Sequence, residues 1–444
     1  MDGQLAVAIP SRAGHGDVRR NNLEVVLRHL SMVGTDSRAS IAARTGLTPS
    51  TVSRLVGELM DLGLVREAGA DGDLPPRRPP GRPATLLKLD GRHVLALGAE
   101  INVDYIAVLG NDLAGRKLHE TRRPFDAVSA GPERSAEALA SLCGQVTASV
   151  TAAASAVPVT VAGLTVAVPG LVDVASGVVT EAPNLHWAGF PLAAALAALP
   201  GTAGVPVSIG NDANLGALAE YRVGSHAGVG DLIYVTGEVG IGGGVIAGGR
   251  PLLGSHGHGG EIGHMNLDPA GPRCGCGRRG CWEALIGLGA LLRATSSGDA
   301  ALPARVSSPE AKVADVASRA RAGEHAVLAA LAELGHWIGA GAANLVNLFD
   351  PQAIILGGYF RQIAEWILPP ATKSLHAGVL APGASGCELT TSALGFTAAT
   401  RGGALRVIDQ VLTDPTRLPA AHPDRSAGRV GSLGRSGEGG NDQL

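Results

Sequence analysis

The sequence predicts an α/β domain preceded by a small α+β winged helix-turn-helix. Three observations carry that prediction. From Arg92 onward, apolar strand-like runs, glycine turns and alanine-rich helical stretches alternate, as they do when helices cover a sheet. Two stretches in that region, residues 93–115 and 231–249, each read as strand, turn, strand, turn. Before Arg92, residues 22–62 carry helical apolar stripes punctuated by a glycine stop.

Residues 1–21 are expected to be a flexible N-terminus, and their breaks at Pro10, Gly14 and Gly16 leave no apolar core of signal-peptide length. Over residues 22–33, Leu23, Val26, Leu27 and Leu30 share one helical face. A second short helix spans residues 37–45 and stops at Gly46. The next helix is the informative one. Thr48 is placed to cap it, Pro49 suits its first turn, and Val52, Leu55, Val56 and Leu59 make an apolar stripe through Leu62. The opposite face offers Ser50, Thr51, Ser53 and Arg54. Small hydroxyls and an arginine at that position match a recognition helix that enters a DNA major groove. After Gly63, residues 64–66 and 84–89 read as two strands of a wing, so that the DNA-binding module runs over residues 22–89. The proline-stiffened stretch between them carries Arg77, Arg78 and Arg82, which would lie along phosphates or reach a minor groove. The alternative is a three-helix interaction module with solvated arginines.

Composition sets outer bounds. The 444 residues suffice for two or three domains, and 45% hydrophobic with 17% charged residues suits a soluble globular protein. No uninterrupted apolar run reaches spanning length, so a cytoplasmic protein without a membrane partner is expected. Residues 1–90 hold 12 Lys or Arg against 10 Asp or Glu, and the remainder 24 against 29. That basic lean is too small to establish nucleic-acid binding by charge alone, so the argument rests on pattern.

Three of the five cysteines fall within eight residues, in Cys274-Gly275-Cys276-Gly277 and Gly280-Cys281-Trp282-Glu283, shortly after Gly260-Glu261-Ile262-Gly263-His264. The spacing H-x9-C-x-C-x4-C supplies one imidazole and three thiolates, the donor set of a closed structural zinc site. His264, Cys274, Cys276 and Cys281 are therefore the candidate ligands of a structural Zn2+. Buried cysteines with a satisfied histidine are the bland alternative. Clustered thiolates that bind metal fit a reducing compartment.

The pattern G-E-x-G-H, then C-x-C-G-x-x-G-C-x-E, resembles the signature of the ROK family, whose members are sugar kinases and sugar-responsive transcriptional repressors. The resemblance covers roughly residues 91–412, with the zinc loop at 264–281. It implies a two-lobed actin-like, ribonuclease H-like, sugar-binding domain. A Gly-Arg-Pro wing is also similar to the N-terminal domain of ROK repressors. Beyond about residue 413 the chain is rich in Pro, Gly, Ser and Arg without apolar period, and a disordered tail over 413–444 is expected.

In the kinases of this family two turns hold ATP phosphates, and here both differ. The first has the form D-x-G-G-T, matched by Glu100-Ile101-Asn102-Val103-Asp104; in the second, G-T-G is matched by Glu238-Val239-Gly240. Asp104 and Glu238 would set negative charge near a triphosphate, and Val103 adds a β-branched side chain where backbone must approach. The sugar side, by contrast, keeps its motifs. Gly210-Asn211-Asp212-Ala213-Asn214 matches the loop that carries the kinase general base, which would be Asp212. The resemblance assigns sugar contacts to Asn184, Asn211, Asp212, Glu261, His264 and Glu283, with His264 turning one ring nitrogen to zinc and the other to the ligand.

The reading is a cytoplasmic sugar-responsive transcriptional regulator, a repressor of carbohydrate-utilisation genes without kinase activity. Its partners would be operator DNA, a sugar effector and a second copy of the chain, as a homodimer or homotetramer. Two turns, 100–107 and 238–244, look more like those of xylose-operon repressors than of N-acetylglucosamine or glucose repressors, so a xylose-like monosaccharide is the first expectation for the effector. An ATP-dependent sugar kinase with an attached DNA-binding domain is the alternative. A zinc-stabilised interaction protein with neither activity is the third reading.

Overall fold

The computed structural model describes residues 15–69, 85–154, 158–255, 257–296, 308–381 and 386–418. These fall into two compact units, one of residues up to 94 with 158–160 and 410–418, the other of residues 95–154 and 161–409.

The first unit opens with helix α1 (His15–Val33), strand β1 (Thr35–Ser37), helices α2 (Arg38–Thr45) and α3 (Pro49–Asp61), and strands β2 (Val65–Glu67) and β3 (Leu86–Leu89). Local chemistry explains each boundary. The Ser37 side chain accepts from the Ser40 amide to start α2, and Gly46, at φ 72°, ends it in the left-handed conformation that costs glycine least. Thr48 caps α3 by accepting from the Thr51 amide, with Pro49 in the first turn. Val52, Leu55, Val56 and Leu59 are all buried, against Leu23, Val26, Leu27 and Leu30 of α1 in the same core. The two wing strands pair antiparallel, Val65 opposite Leu89, and β1 adds to the far side of β3. Two expectations need correction. The first helix begins at His15, inside the stretch read as flexible, and the tail read as disordered from residue 413 is ordered through a 3-10 turn at Pro415–Arg417. Arg28 of α1 donates to Thr413 Oγ1 at 2.9 Å, so this first stretch of the tail is held within the unit.

The second unit is two lobes built on the same plan. The first lobe holds β4 (Val94–Ile101), β5 (Tyr105–Asn111), β6 (Lys117–Pro124), α4 (Ala127–Ala153) and β7 (Thr160–Val168). A small sheet of β8 (Leu171–Asp173), β9 (Val178–Ala182) and β10 (Trp187–Phe190) follows, then α5 (Leu192–Ala197), β11 (Val207–Asn211) and α6 (Asp212–Val223). The second lobe holds β12 (Leu232–Gly237), β13 (Ile241–Ala247), β14 (Arg250–Pro251), α7 (Trp282–Ile286), α8 (Leu288–Thr295) and α9 (Pro309–Arg321). It continues through α10 (His325–Phe349), β15 (Ala353–Gly358), α11 (Ala364–Gly378) and β16 (Glu388–Thr391) to α12 (Ala398–Thr413).

Strand order exposes the duplication. The first sheet runs β11-β7-β4-β5-β6 and the second β14-β13-β12-β15-β16, so each places a three-stranded antiparallel meander beside two further strands, attached at the meander's first strand. The hairpins β4–β5 and β12–β13 are the two strand-turn-strand stretches of the sequence. Because the plan repeats, the turn at residues 102–104 and the turn at 238–240 occupy matching ends of their lobes.

Helix α10 is the one described helix long and apolar enough to cross a bilayer, but more than half of its most apolar stretch is buried. Val327, Leu331, Leu334 and Ile338 pack in the second lobe's core with Trp282 and Ile367, which marks it as a core helix.

Candidate functional site

The four candidate metal ligands converge. One donor atom from each of His264, Cys274, Cys276 and Cys281 lies within 4.8 Å of every other. His264 Nδ1 is 3.8 Å from Cys274 Sγ, and Cys276 Sγ is 3.6 Å from Cys281 Sγ. A tetrahedron with zinc–sulfur bonds of about 2.3 Å has edges of about 3.8 Å, so the donor set fits an ion of that kind. Local backbone makes this possible. Gly280, at φ 65°, presses against the Asp268 carbonyl where a Cβ would stand 1.5 Å from the oxygen. Cys281 then stands at the N-terminal boundary of α7, and the next residue, Trp282, is fully buried with its indole N–H donating to the Trp337 carbonyl at 2.8 Å.

The cleft is assembled from both lobes. Asn211 caps α6, accepting from the Asn214 amide at 3.0 Å while its own amide donates to the Gly170 carbonyl at 3.1 Å. Its polar atoms are thus engaged in holding two cleft loops together. Asp212 follows as the first residue of α6 and is buried. Burial raises its carboxyl to about 7, and the charges of Glu100 and Glu261 add to the shift. Glu283 accepts from the Ile241 amide at 3.1 Å, and its other oxygen lies 3.5 Å from Cys274 Sγ, so it joins the metal loop to the β12–β13 turn. A Cβ built on Gly240 would fall 2.5 Å from Glu283 Oε2 and 3.3 Å from Asn184 Nδ2, which brings those two side chains together above that turn. Glu261 is exposed at the mouth but enclosed enough for burial to raise its carboxyl, opposed by nearby His264 and His258. His264 uses Nδ1 toward the thiolates, leaving Nε2 for other partners.

The altered phosphate turns are filled from within. Asn102 Oδ1 accepts the Val103 amide at 2.7 Å, taking an N–H that a phosphate oxygen would otherwise need. Its amide nitrogen donates to Glu100 at 3.1 Å and, across the cleft, to Glu238. Tyr105 donates to Glu100 at 2.7 Å, and the other Glu100 oxygen is buried without a hydrogen-bond partner among the described residues. Burial pushes the carboxyl of Glu238 well above the usual range, and Glu100 and Asp212 push it further. Asp212, Tyr234, Thr236, Glu238 and Phe396 line the small pocket that remains.

On α3, Ser50, Ser53 and Arg54 are exposed and Thr51 is half-buried. Thr51 and Ser50 hydroxyls lie 2.8 and 3.1 Å from Thr48 Oγ1, so they form part of the helix cap. Ser53 and Arg54 make no side-chain bond among the described residues. Arg77, Arg78 and Arg82 lie outside the described residues.

Against this geometry, residues 96–410 match the ROK family model and residues 25–73 match a MarR family model. The xylose repressor of Bacillus subtilis (strain 168) is 30% identical over 89% of this chain and 97% of its own length. The chain belongs to the ROK family. Its N-terminal module is a MarR-type winged helix, and the xylose repressor and NagC matches place it on the regulator branch. Escherichia coli (strain K12) NagC, a DNA-binding transcriptional dual regulator, is 27% identical over 80% of this chain and 84% of its own. A ROK family transcriptional regulator homologous to E. coli MLC superposes with a TM-score of 0.74 over 90% of this chain and 98% of its own. At 24% identity that likeness bears on the fold. A ROK glucokinase from Streptomyces griseus, solved with glucose and AMPPNP, reaches 0.57 at 29% identity, covering 70% of this chain and 98% of its own.

The sequence reading of this ROK protein missed three participants. Tyr105 and Arg122, whose guanidinium stacks 3.7 Å from the Tyr105 ring centroid, carry no motif, and Asn102 stands in the sequence only where a glycine is lost. The one available signal was that a lost phosphate turn must satisfy its backbone amides in some other way, and an asparagine inside the turn can do so.

Proposed function

We propose that the protein is a sugar-responsive transcriptional repressor of carbohydrate-utilisation genes, without kinase activity, whose effector cleft is held in shape by a structural zinc ion. The observation that carries the proposal is one chain joining a MarR-type winged helix with a free arginine face on α3 to a ROK cleft whose phosphate turns are occupied by Asn102, Glu100 and Glu238. These side chains oppose a triphosphate by filling the turns and by taking the Val103 amide that a phosphate oxygen would otherwise use. The sugar end supports the other half of the reading. Asn184, Asn211, Asp212, Glu261, His264 and Glu283 offer the mixed donors and acceptors that a polyhydroxylated ligand needs, and Asn211 also fixes the loop that carries Asp212. Residues 22–89 would bind DNA and 91–412 the effector, in a homodimer or homotetramer located in the cytoplasm.

The test is operator binding with and without the best ligand from a monosaccharide panel that includes xylose. A released repressor should lose affinity by a factor equivalent to about 1–3 kcal/mol. Glu261→Ala should abolish that response and leave operator binding intact, because it alters the cleft and no residue of α3. Sugar-dependent release of ADP by the wild type, lost in Asp212→Asn, would instead favour the kinase reading.

Recognition by α3 has its own expected outcome. Arg54 is exposed and unengaged on the face opposite the buried stripe, the position from which an arginine reads a guanine edge. Arg54→Ala should cost about 1–3 kcal/mol and relax preference at one position of each half-site. Substituting Arg77, Arg78 and Arg82 should weaken binding to all sequences and flatten its salt dependence. An Arg54→Ala protein with unchanged operator preference would remove α3 from the role of recognition helix.

A further inference from the structure

The phosphate end of the cleft does more than exclude a nucleotide. Six side chains meet there, three from each lobe. From the first lobe come Asn102 in the β4–β5 turn, Tyr105 at the start of β5 and Arg122 on β6. From the second come Glu238 in the β12–β13 turn, Glu310 in the first turn of α9 and Phe396 after β16. Asn102 donates to Glu238, and the Tyr105 hydroxyl lies 3.4 Å from the same carboxylate. The Arg122 guanidinium stacks 3.7 Å from the centroid of the Tyr105 ring and 5.2 Å from that of Phe396, and it pairs with Glu310. Asn102 is nearly fully buried, so its cross-lobe bond is shielded from competing water.

We infer that this cluster is a clasp that ties the two lobes to each other directly, at the place where a nucleotide would otherwise bridge them. Its position follows from the repeated plan of the lobes, which sets the two hairpin turns opposite one another. In a phosphate-binding cleft the facing turns are joined through a ligand, and the lobes separate when it leaves. Here the join is made by side chains of the chain itself. The lobes therefore keep a defined closure with no nucleotide present, and the sugar half of the cleft, at residues 211–212 of one lobe and 261–283 of the other, is held at a fixed span. The amide–carboxylate bond also sets a limit on opening, because parting the lobes would take from the Glu238 carboxylate both of its cross-lobe donors, Asn102 and Tyr105, at a site shielded from water. The inference concerns lobe closure and stands whether or not the cleft senses a sugar for a DNA-binding module.

Amide hydrogen exchange on the full-length, metal-loaded protein without added ligand tests it. Asn102→Ala, a change in the first lobe, should speed exchange at least tenfold in the second lobe at residues 238–241 and in the first turn of α9. Exchange in the metal loop, where the Gly280 amide donates to the Pro272 carbonyl, should stay at the wild-type rate. Arg122→Lys keeps the charge but loses the planar stack, and should give the same pattern more weakly; it serves if the alanine variant fails to fold. Exchange changes confined to residues 100–105 in both variants would overturn the clasp, as would uniform acceleration over both lobes and the metal loop, which would report general loss of stability.

Discussion

Cys281→Ser should reduce bound zinc from about one ion per chain to a small fraction and, with it, abolish effector binding. The argument runs through the residues on either side of the ligand. Cys281 stands at the start of α7, Trp282 is anchored in the second lobe's core, and Glu283 reaches back to the Ile241 amide at the β12–β13 turn. On the other arm, His264 ends the short turn that carries Glu261. An ion bound to both arms therefore sets the distance between Glu261 and Glu283. Even outer partners of a metal ligand are worth roughly 10–100-fold in metal affinity, and losing a direct ligand should exceed that. The ligands must be deprotonated to bind, so the folded loop and the ion stabilise each other. Elemental analysis and a thermal-shift titration with the panel's best sugar provide the measurement. A Cys281→Ser protein that is free of metal, as stable as the wild type and equally responsive to sugar would remove the metal from any structural role.

What was legible in the sequence divides by the range of the interaction. Boundaries of α2 and α3 were readable because Ser37, Gly46, Thr48 and Pro49 act within one turn of themselves. The metal loop was readable because its last three ligands lie within eight residues, so spacing alone limits the geometry. Strand β1 was not, since its three residues become a strand only by pairing with β3, some fifty positions later. The start of α1 was missed for a similar reason. Residues 15–21 lack an apolar stripe, and the Arg19 pairing with Glu58 of α3 is a tertiary contact. At the cleft, motif matching located Asp212 and Glu283 but gave no sign that Asn211 would also join two loops. Charge reversal in the phosphate turns was visible as a list of lost residues. That Asn102 would satisfy the turn amide and reach Glu238, 136 positions away, is a property of two lobes brought face to face.

Asp212 should make the protein less stable as pH rises from about 4 to 7, and Asp212→Asn should remove that part of the slope. Its carboxyl titrates at about 7 in the folded chain against 3.8 for the unperturbed group, because burial and the neighbouring Glu100 and Glu261 penalise the anion. Below 3.8 it is protonated in both states and contributes no slope. Between the two values the unfolded chain has released the proton while the folded chain retains it, so the folded state binds more protons and stability falls as pH increases. Above about 7 both forms are ionised and the loss levels off. Each pH unit inside that window is worth roughly 1.4 kcal/mol, so wild type should lose about 2–3 kcal/mol between pH 5 and 7 that Asp212→Asn retains. Glu100 and Glu238 are shifted in the same direction and remain in the variant, which is why the difference between the two curves is the quantity to read. The same titration changes what the cleft offers a ligand: below the transition Asp212 can donate to a hydroxyl oxygen, and above it can only accept. Urea unfolding of wild type and Asp212→Asn at half-unit steps from pH 5 to 8 gives both slopes, and parallel curves would mean that Asp212 is already ionised at pH 5 in a site more hydrated than its surroundings indicate.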